Sequence, residues 1–391
     1  MIPRVATQCW ENLTGLYYVL RRKRGEWHTM PADLARTEAR ILQQMLALEA
    51  MGPDTWRVVE EFLNPEDPGE AFGGLYLAIA YDDHSRTRTL LQRSRDAAAV
   101  AEAIAWAPRK RLKDLGALCN ELQLDTVWWN VVWRTGVPVD STEIRPALTS
   151  GSPATAMAAV RVAATARHVD LAATIAELRS IDGLLGQSAR LALVLLNALP
   201  PSSLAELAGQ RPILPGVAAI LEQIEPGLVP RNDPRNRCFL AGCSGSTAEL
   251  DFLLESMAVP ERARPAWLAF STLAGLLFDD GRFTIPAPPG LSSGPDDIPE
   301  HDELAMDPDE GIPYPDQSAL SDWWRQKRRA FGWPRCLLGN ELAIASATSA
   351  MNDGPSLATL AGAAWLALNS PEMQYARVVR TMLDVDKPAF R

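Results

Sequence analysis

Apolar and polar residues alternate with helical periodicity along most of this chain. Between about residues 112 and 277, short alanine-rich apolar stretches recur and are separated by brief polar turns. The segment 154–164 is similar in pattern to the later segment 187–197, and recurrence at such an interval is typical of repeated helix pairs. A lone alanine-rich helix buries little surface, whereas stacked helices share a core. The pattern therefore predicts an all-α fold, a solenoid of stacked antiparallel helix pairs.

Breaks rich in proline and glycine divide this pattern into four regions. We predict an N-terminal helical domain (1–108), a repeat region (109–280), an acidic Pro/Gly-rich loop (281–317) and a C-terminal helical region (318–391). Pro265 marks either a kink or the true start of a helix predicted from residue 260 to about 277. The tail from residue 372 is predicted to be partly extended.

The overall charge restricts the class of partner. The chain has 391 residues, with 48 acidic and 38 basic side chains and a net charge of -10. Direct nucleic-acid binding requires a basic footprint, so this charge argues against it. A basic protein partner is compatible with the charge.

The remaining composition indicates a cytoplasmic protein. The residues after Met1 lack the basic and apolar segments of a signal peptide, and the most apolar run (191–199) is too short to cross a bilayer. The five cysteines are scattered, and we expect them to be reduced, packed thiols. Cys238 and Cys243 lie close in sequence, but neither a histidine nor a further cysteine is near, so we predict neither a metal site nor a cofactor.

The most unusual local feature is an acidic run without lysine or arginine. Such a run could enter a cleft of a basic nuclease and pair with the cations that hold phosphate. A solvated surface loop is the alternative, and it is what most charge runs are. The candidate partner-binding residues of the run are Asp296, Asp297, Glu300, Asp302, Glu303, Asp307, Asp309 and Glu310.

Two adjacent tryptophans, Trp323 and Trp324, complete the predicted partner-binding set. They lie on a predicted helix that also carries arginines and a lysine. Adjacent helical residues point about 100° apart, so one ring can pack in the core while the other reaches a partner. Core packing of both rings is the alternative.

The sequence provides no convincing catalytic constellation. His84 follows two aspartates, which is weak evidence for a metal or a general base. The sequence around Ser244 resembles a nucleophile turn, but we predict no strand before it, and a helix end with glycine explains it better. We therefore predict that the chain is not an enzyme.

Several short motifs resemble a proteobacterial family of HEAT-like repeat proteins of the PBS-lyase repeat type, often encoded beside type VI secretion genes. The resemblance covers roughly residues 10–385, and its motifs are structural. They are Asp33-Leu34-Ala35-Arg36, Glu38-Ala39-Arg40-Ile41, Leu240-Ala241-Gly242, the helix predicted over 247–257, Trp323-Trp324 and Leu337-Leu338-Gly339.

The resemblance implies a role at a type VI secretion locus, where toxic effectors are paired with immunity proteins. An acidic helical-repeat protein from such a locus resembles an immunity protein, which would bind a cognate toxin domain, expected to be a nuclease, and occlude its active site. The alternative is an adaptor that loads an effector onto the secretion spike.

Overall fold

The computed structural model describes residues 3–230, 232–288, 307 and 309–384. Within these ranges the chain is predominantly helical, with four two-residue strands, so the prediction of an all-α protein is confirmed. The chain forms two compact units. The first contains Met1–Arg24 and Ala32–Ala198, and the second contains Gly25–Pro31 and Leu199–Arg391. The division near residue 198 falls inside the segment 109–280, which was predicted as one repeat region.

The first unit is built from helices and turns in its described residues. Its helices are α1 (Pro3–Gly25), α2 (Pro31–Ala50), α3 (Trp56–Phe62), α4 (Pro68–Ala80), α5 (His84–Arg93), α6 (Ala97–Trp106), α7 (Leu112–Glu121), α8 (Asp125–Thr135), α9 (Ser141–Leu148), α10 (Pro153–Thr165), α11 (Ala172–Leu178) and α12 (Leu184–Leu195). Short 3-10 turns at Pro53–Thr55, Arg109–Arg111 and Val169–Leu171 precede α3, α7 and α11.

Alternate helices of the first unit pack against one another. Helix α4 contacts α6, α6 contacts α8, α8 contacts α10, and α10 contacts α12. The starts of these five helices, at positions 68, 97, 125, 153 and 184, are almost evenly spaced along the sequence. Helices α5, α7, α9 and α11 pack beside α4, α8, α10 and α12 respectively. The two segments of similar pattern, 154–164 and 187–197, thus coincide largely with α10 and α12, which are in contact.

Small side chains allow this close packing. In α10 the alanines at 156, 158, 159, 163 and 164 are all buried. A helix of this length is marginal in water, so its stability comes from packing against its neighbours rather than from its own propensity.

Four helices of the first unit end in the same way. The second residue after each helix has a left-handed backbone with φ between 56° and 62°, and the next amide donates to a carbonyl five residues back. This capping pattern satisfies the last carbonyls of a helix and turns the chain sharply. The left-handed residues are Asp82, Gln123, Arg167 and Asn197.

The second unit has eight described α-helices and two short antiparallel strand pairs. The helices are α13 (Pro215–Ile224), α14 (Pro234–Ser244), α15 (Glu249–Ser256), α16 (Pro260–Ala274), α17 (Gln317–Lys327), α18 (Ile344–Asp353), α19 (Ser356–Asn369) and α20 (Tyr375–Met382), with 3-10 turns at Pro201–Leu207 and Arg328–Ala330. The strands are β1 (Thr284–Ile285), β2 (Tyr314–Pro315), β3 (Cys336–Leu337) and β4 (Asn340–Glu341); β1 pairs with β2 and β3 with β4, both antiparallel.

Helix α16 lies at the centre of the second unit. It packs against α14, α15, α19, β2 and β3, and every residue from Pro265 to Ala274 is buried. The helix begins at Pro260 and continues through Pro265, so Pro265 is not its start. Gly275, with a φ of 73°, ends it. The amides of Leu338 and Gly339 then donate to the carbonyls of Thr272 and Leu273 over 2.8 and 2.9 Å, which caps the end of α16.

The tail prediction is wrong for its described part. Residues 375–382 form helix α20 rather than an extended segment, because Val378, Val379 and Met382 share a face that is buried and the helix packs against α19. The apolar pattern of the sequence also does not predict helices α5, α9 and α13.

The left-handed helix ends give a stability test. We expect Gln123→Gly to raise the free energy of unfolding by about 0.5–1 kcal/mol, because glycine adopts a positive φ without the steric penalty that glutamine experiences. The same substitution at the exposed Gln43, in the middle of α2, should lower it by about 1 kcal/mol. Urea denaturation measures both. An equal loss at the two sites would contradict the left-handed assignment.

Candidate partner-binding site

The acidic run has a described end and an undescribed part. Asp296, Asp297, Glu300, Asp302 and Glu303 lie outside the described residues. Asp307, Asp309 and Glu310 are described, and they show how the run rejoins the second unit. Glu310 is exposed, whereas Asp309 is buried.

A short antiparallel strand pair, β1–β2, joins the segments on the two sides of the acidic run. Thr284 lies opposite Pro315 and Ile285 lies opposite Tyr314 in the antiparallel pair β1–β2. Beyond the strands, the amide of Asp316 donates to the carbonyl of Phe283 over 2.8 Å. The residues that precede the run and those that follow it are therefore fixed side by side.

Asp307 forms a two-pronged ion pair with Arg264 of helix α16. Arg264 Nη1 lies 2.6 Å from Asp307 Oδ2, and Nη2 lies 2.8 Å from Oδ1. Nη1 also donates to the backbone carbonyl of Asp309 over 3.1 Å, and the guanidinium lies 4.9 Å from the centroid of the Tyr314 ring. Burial disfavours the charged guanidinium, but the hydrogen bond and the charge of Asp307 outweigh that effect and raise the pKa of Arg264.

Asp309 forms the second pair, with Arg235 of helix α14. Arg235 Nη2 lies 2.6 Å from Asp309 Oδ1, and the guanidinium lies 4.9 Å from the centroid of the Phe239 ring. The Asp309 side chain is 7% exposed and that of Asp307 is 9% exposed. Planar pairs of this kind are stronger than a single contact and fix the geometry as well as the charge.

These pairs correct the prediction for two residues. Asp307 and Asp309 were predicted to face a partner, but the structure places both carboxylates on arginines of the same chain. The sequence could not show this, because the arginines lie 43 and 74 residues away from their partners. The acidic run therefore contains carboxylates of two kinds, those that hold the run in place and those upstream of them.

The two predicted tryptophans have different environments. Trp324 is 6% exposed, and its indole Nε1 donates to Asp251 Oδ1 over 2.8 Å, so this residue belongs to the core. Trp323 is partly exposed, and its ring contacts those of Phe270, Phe283 and Phe331. Of the two, Trp323 is the ring that a partner could reach.

Two further aromatic residues lie beside Trp323 and were not among the residues predicted to bind a partner. Phe331 and Trp333 are partly exposed, with ring centroids 6.1 Å apart. In the sequence they follow four exposed cations. Trp323, these four cations, Phe331 and Trp333 form what we call the basic–aromatic surface. Alternation of aromatic and basic residues over 323–335 was the available signal. The surface comprises Trp323, Arg325, Lys327, Arg328, Arg329, Phe331 and Trp333.

The remaining sequence candidates lie elsewhere. His84 lines an open groove of about 330 Å³ in the first unit, with its Nε2 3.4 Å from Asp82 Oδ1. A hydrogen bond from Arg111 lowers the pKa of Asp82. Arg88, which also lines the groove, pairs with Glu121 over 2.7 Å. The groove thus has a rim of mixed charge without a dominant sign.

The segment around Ser244 is a helix end, as predicted. Helix α14 ends at Ser244, and Gly245 has the left-handed conformation that closes such helices. Cys238 and Cys243 lie on this helix and are buried; burial raises the pKa of the Cys238 thiol to about 12. In the described ranges, no group of three or more His, Cys, Asp or Glu side chains is arranged to hold a metal ion. Among those same residues, none of the helices has the length and apolar character needed to cross a membrane.

Comparisons with protein-family models, with curated proteins and with solved structures found no match to this chain.

The Arg264–Asp307 pair can be tested by stability. We expect Asp307→Asn to lower the free energy of unfolding by about 2–4 kcal/mol, because it leaves a mostly buried guanidinium without its anion. The matched control is Asp322→Asn, which removes an exposed ion pair with Arg325 and should change stability by less than about 1 kcal/mol. Urea denaturation monitored by tryptophan fluorescence gives both values. Equal effects would show that the pair does not fix the run.

Proposed function

We propose that this chain is an immunity protein that binds a basic toxin domain in the cytoplasm and occludes its active site through the acidic run. The observation that supports the proposal most directly is the pairing of Asp307 with Arg264, together with the antiparallel strand pair β1–β2. These contacts use Asp307 and Asp309, described carboxylates of the run, to fix the place where the run rejoins the second unit.

Charge supports a basic partner. Between Arg282 and Arg325 the sequence contains neither lysine nor arginine. A cation that pairs with Asp296, Asp297, Glu300, Asp302 or Glu303 from another molecule would therefore meet no competing cation from this stretch of sequence. Opposite charge on a partner would also accelerate association. A nuclease domain, which carries lysine and arginine to hold phosphate, is the partner that the family resemblance implies.

Fixed ends reduce the cost of binding. A segment that becomes ordered on binding loses conformational entropy, and that loss weakens the complex. The β1–β2 strand pair and the two Arg–Asp pairs already restrain both flanks of the run. Part of the loss of conformational entropy therefore occurs on folding rather than on binding.

The packing of the first unit supports the scaffold part of the proposal. Alternate helices that begin at nearly even intervals along the sequence and contact one another are the arrangement expected of a HEAT-like solenoid. Such arrays serve mainly as extended binding surfaces. We propose this architecture for the chain, with the acidic run as the inhibitory element.

A rescue assay tests the proposal. The toxin domain encoded by the adjacent gene would be induced in sensitive cells with the wild-type chain, followed by co-purification. We expect survival and a stoichiometric complex. A variant in which the five upstream acids become Asn or Gln should bind about a hundredfold more weakly and lose rescue.

The matched control carries five amide substitutions at exposed acids elsewhere and should rescue like the wild type; these acids are Glu61, Asp114, Glu177, Asp182 and Glu225. If both variants rescue, the acidic run is not the inhibitory element. If the wild type fails to rescue but co-purifies with the full-length effector, the chain acts as an adaptor instead.

A further inference from the structure

The basic–aromatic surface is not used by the proposed function, and its charge is opposite to that of the rest of the chain. Residues 325–330 are exposed in an unbroken row and include four cations. Arg325 pairs with Asp322 and Arg328 pairs with Asp251, whereas Lys327 and Arg329 form no ion pair with any residue that the structure describes. The protein as a whole has a net charge of -10, so the cations at the end of helix α17 form a local excess of the opposite sign.

Aromatic rings lie next to these cations in the sequence, and they pack against other rings of the second unit. Phe331 lies 6.2 Å from Trp323 and 5.2 Å from Trp324, measured between ring centroids. Trp324 is in turn held by its hydrogen bond to Asp251 and by the Phe270 ring at 6.3 Å. Partly exposed tryptophan and phenylalanine next to arginine are the residue types that contribute most to binding at protein interfaces.

We propose that the basic–aromatic surface is a second docking site, which binds a carboxylate-rich protein segment whose apolar side chains cover Trp323, Phe331 and Trp333. Two of its cations already pair with carboxylates of this chain, in the pairs Arg325–Asp322 and Arg328–Asp251. Lys327 and Arg329 would bind the carboxylates of the partner. The site cannot be the one that holds the basic toxin domain, because the two would repel each other.

The geometry favours a protein segment over a nucleic acid. The partly exposed rings meet edge to face, at interplanar angles of 71° for Trp323–Phe331 and 72° for Phe331–Trp333. Trp324 lies nearly parallel to Trp323, at 23°, but it is buried, so this pair does not form an exposed platform on which successive bases stack. Asp322 and Asp251 are 60% and 45% exposed among the cations and would repel a continuous phosphate backbone. An acidic peptide has sparser charges and supplies apolar groups for the rings.

Fluorescence anisotropy with the full chain tests the proposal. The probe is a fluorescein-labelled peptide in which a leucine follows every two glutamates; a version with lysine in place of glutamate and labelled oligothymidylate serve as comparisons. We expect the glutamate peptide to bind, more weakly as salt rises, and the lysine peptide not to bind. The variant K327E/R329E should weaken binding at least about tenfold, and W333A about fivefold.

The matched control reverses two exposed lysines in another basic stretch of the chain, Lys110 and Lys113, which leaves the basic–aromatic surface intact. K110E/K113E should change the affinity less than about twofold. Circular dichroism and thermal melts verify that each variant is folded.

Three results would overturn the proposal. They are a wild-type chain that does not bind the glutamate peptide, an equal loss in K110E/K113E, and tighter binding of oligothymidylate that K327E/R329E abolishes. The last would assign the surface to single-stranded nucleic acid. Because these measurements use no toxin domain, their failure and a failure of the immunity proposal are distinguishable.

Discussion

The burial of helix α16 is the constraint on which the second unit depends. Complete burial of side chains such as Trp267, Phe270 and Leu273 contributes roughly 2–3 kcal/mol each, and it fixes the helix on nearly every side. The features with functional interest attach to this helix. Arg264, near its start, pairs with Asp307 at the end of the acidic run. Phe270, in its middle, packs against the tryptophans of α17. Its last carbonyls accept hydrogen bonds from the amides of the turn between β3 and β4. Substitutions in its apolar core are thus expected to disturb both charged surfaces together.

The first unit depends on a different arrangement, in which a row of short helices shares its core. The helical character of this unit could be predicted, since helical periodicity and the recurrence of similar apolar segments are visible in the sequence. Helices α5 and α9 and the end of the unit at residue 198 could not be predicted. The helix ends could not. Asp82, Gln123, Arg167 and Asn197 adopt the left-handed conformation that glycine normally signals. Aspartate and asparagine adopt it more often than other non-glycine residues but signal it only weakly, and glutamine and arginine carry no such signal. Tertiary packing also decides α20, where Val378, Val379 and Met382 become helical against α19 in a tail that reads as irregular.

The candidate site shows the same limit. The sequence identifies an acidic run and a pair of tryptophans, because both are local features. It does not identify which carboxylates face inward, since Asp307 and Asp309 find their arginines on distant helices. Only when the packing is known can a run of like charges be divided into residues that position the segment and residues that are available to bind a partner. The same holds for the tryptophans, of which Trp324 is core and Trp323 is reachable.

The central claim is that the part of the acidic run upstream of Asp307 recognises the partner. Hydrogen–deuterium exchange of the free chain and of its complex with the toxin domain tests this claim most directly. We predict that partner binding slows exchange in peptides that cover residues 296–310, while the α4–α12 helices exchange as in the free chain. Slower exchange confined to the α4–α12 helices, with 296–310 unchanged, would contradict it.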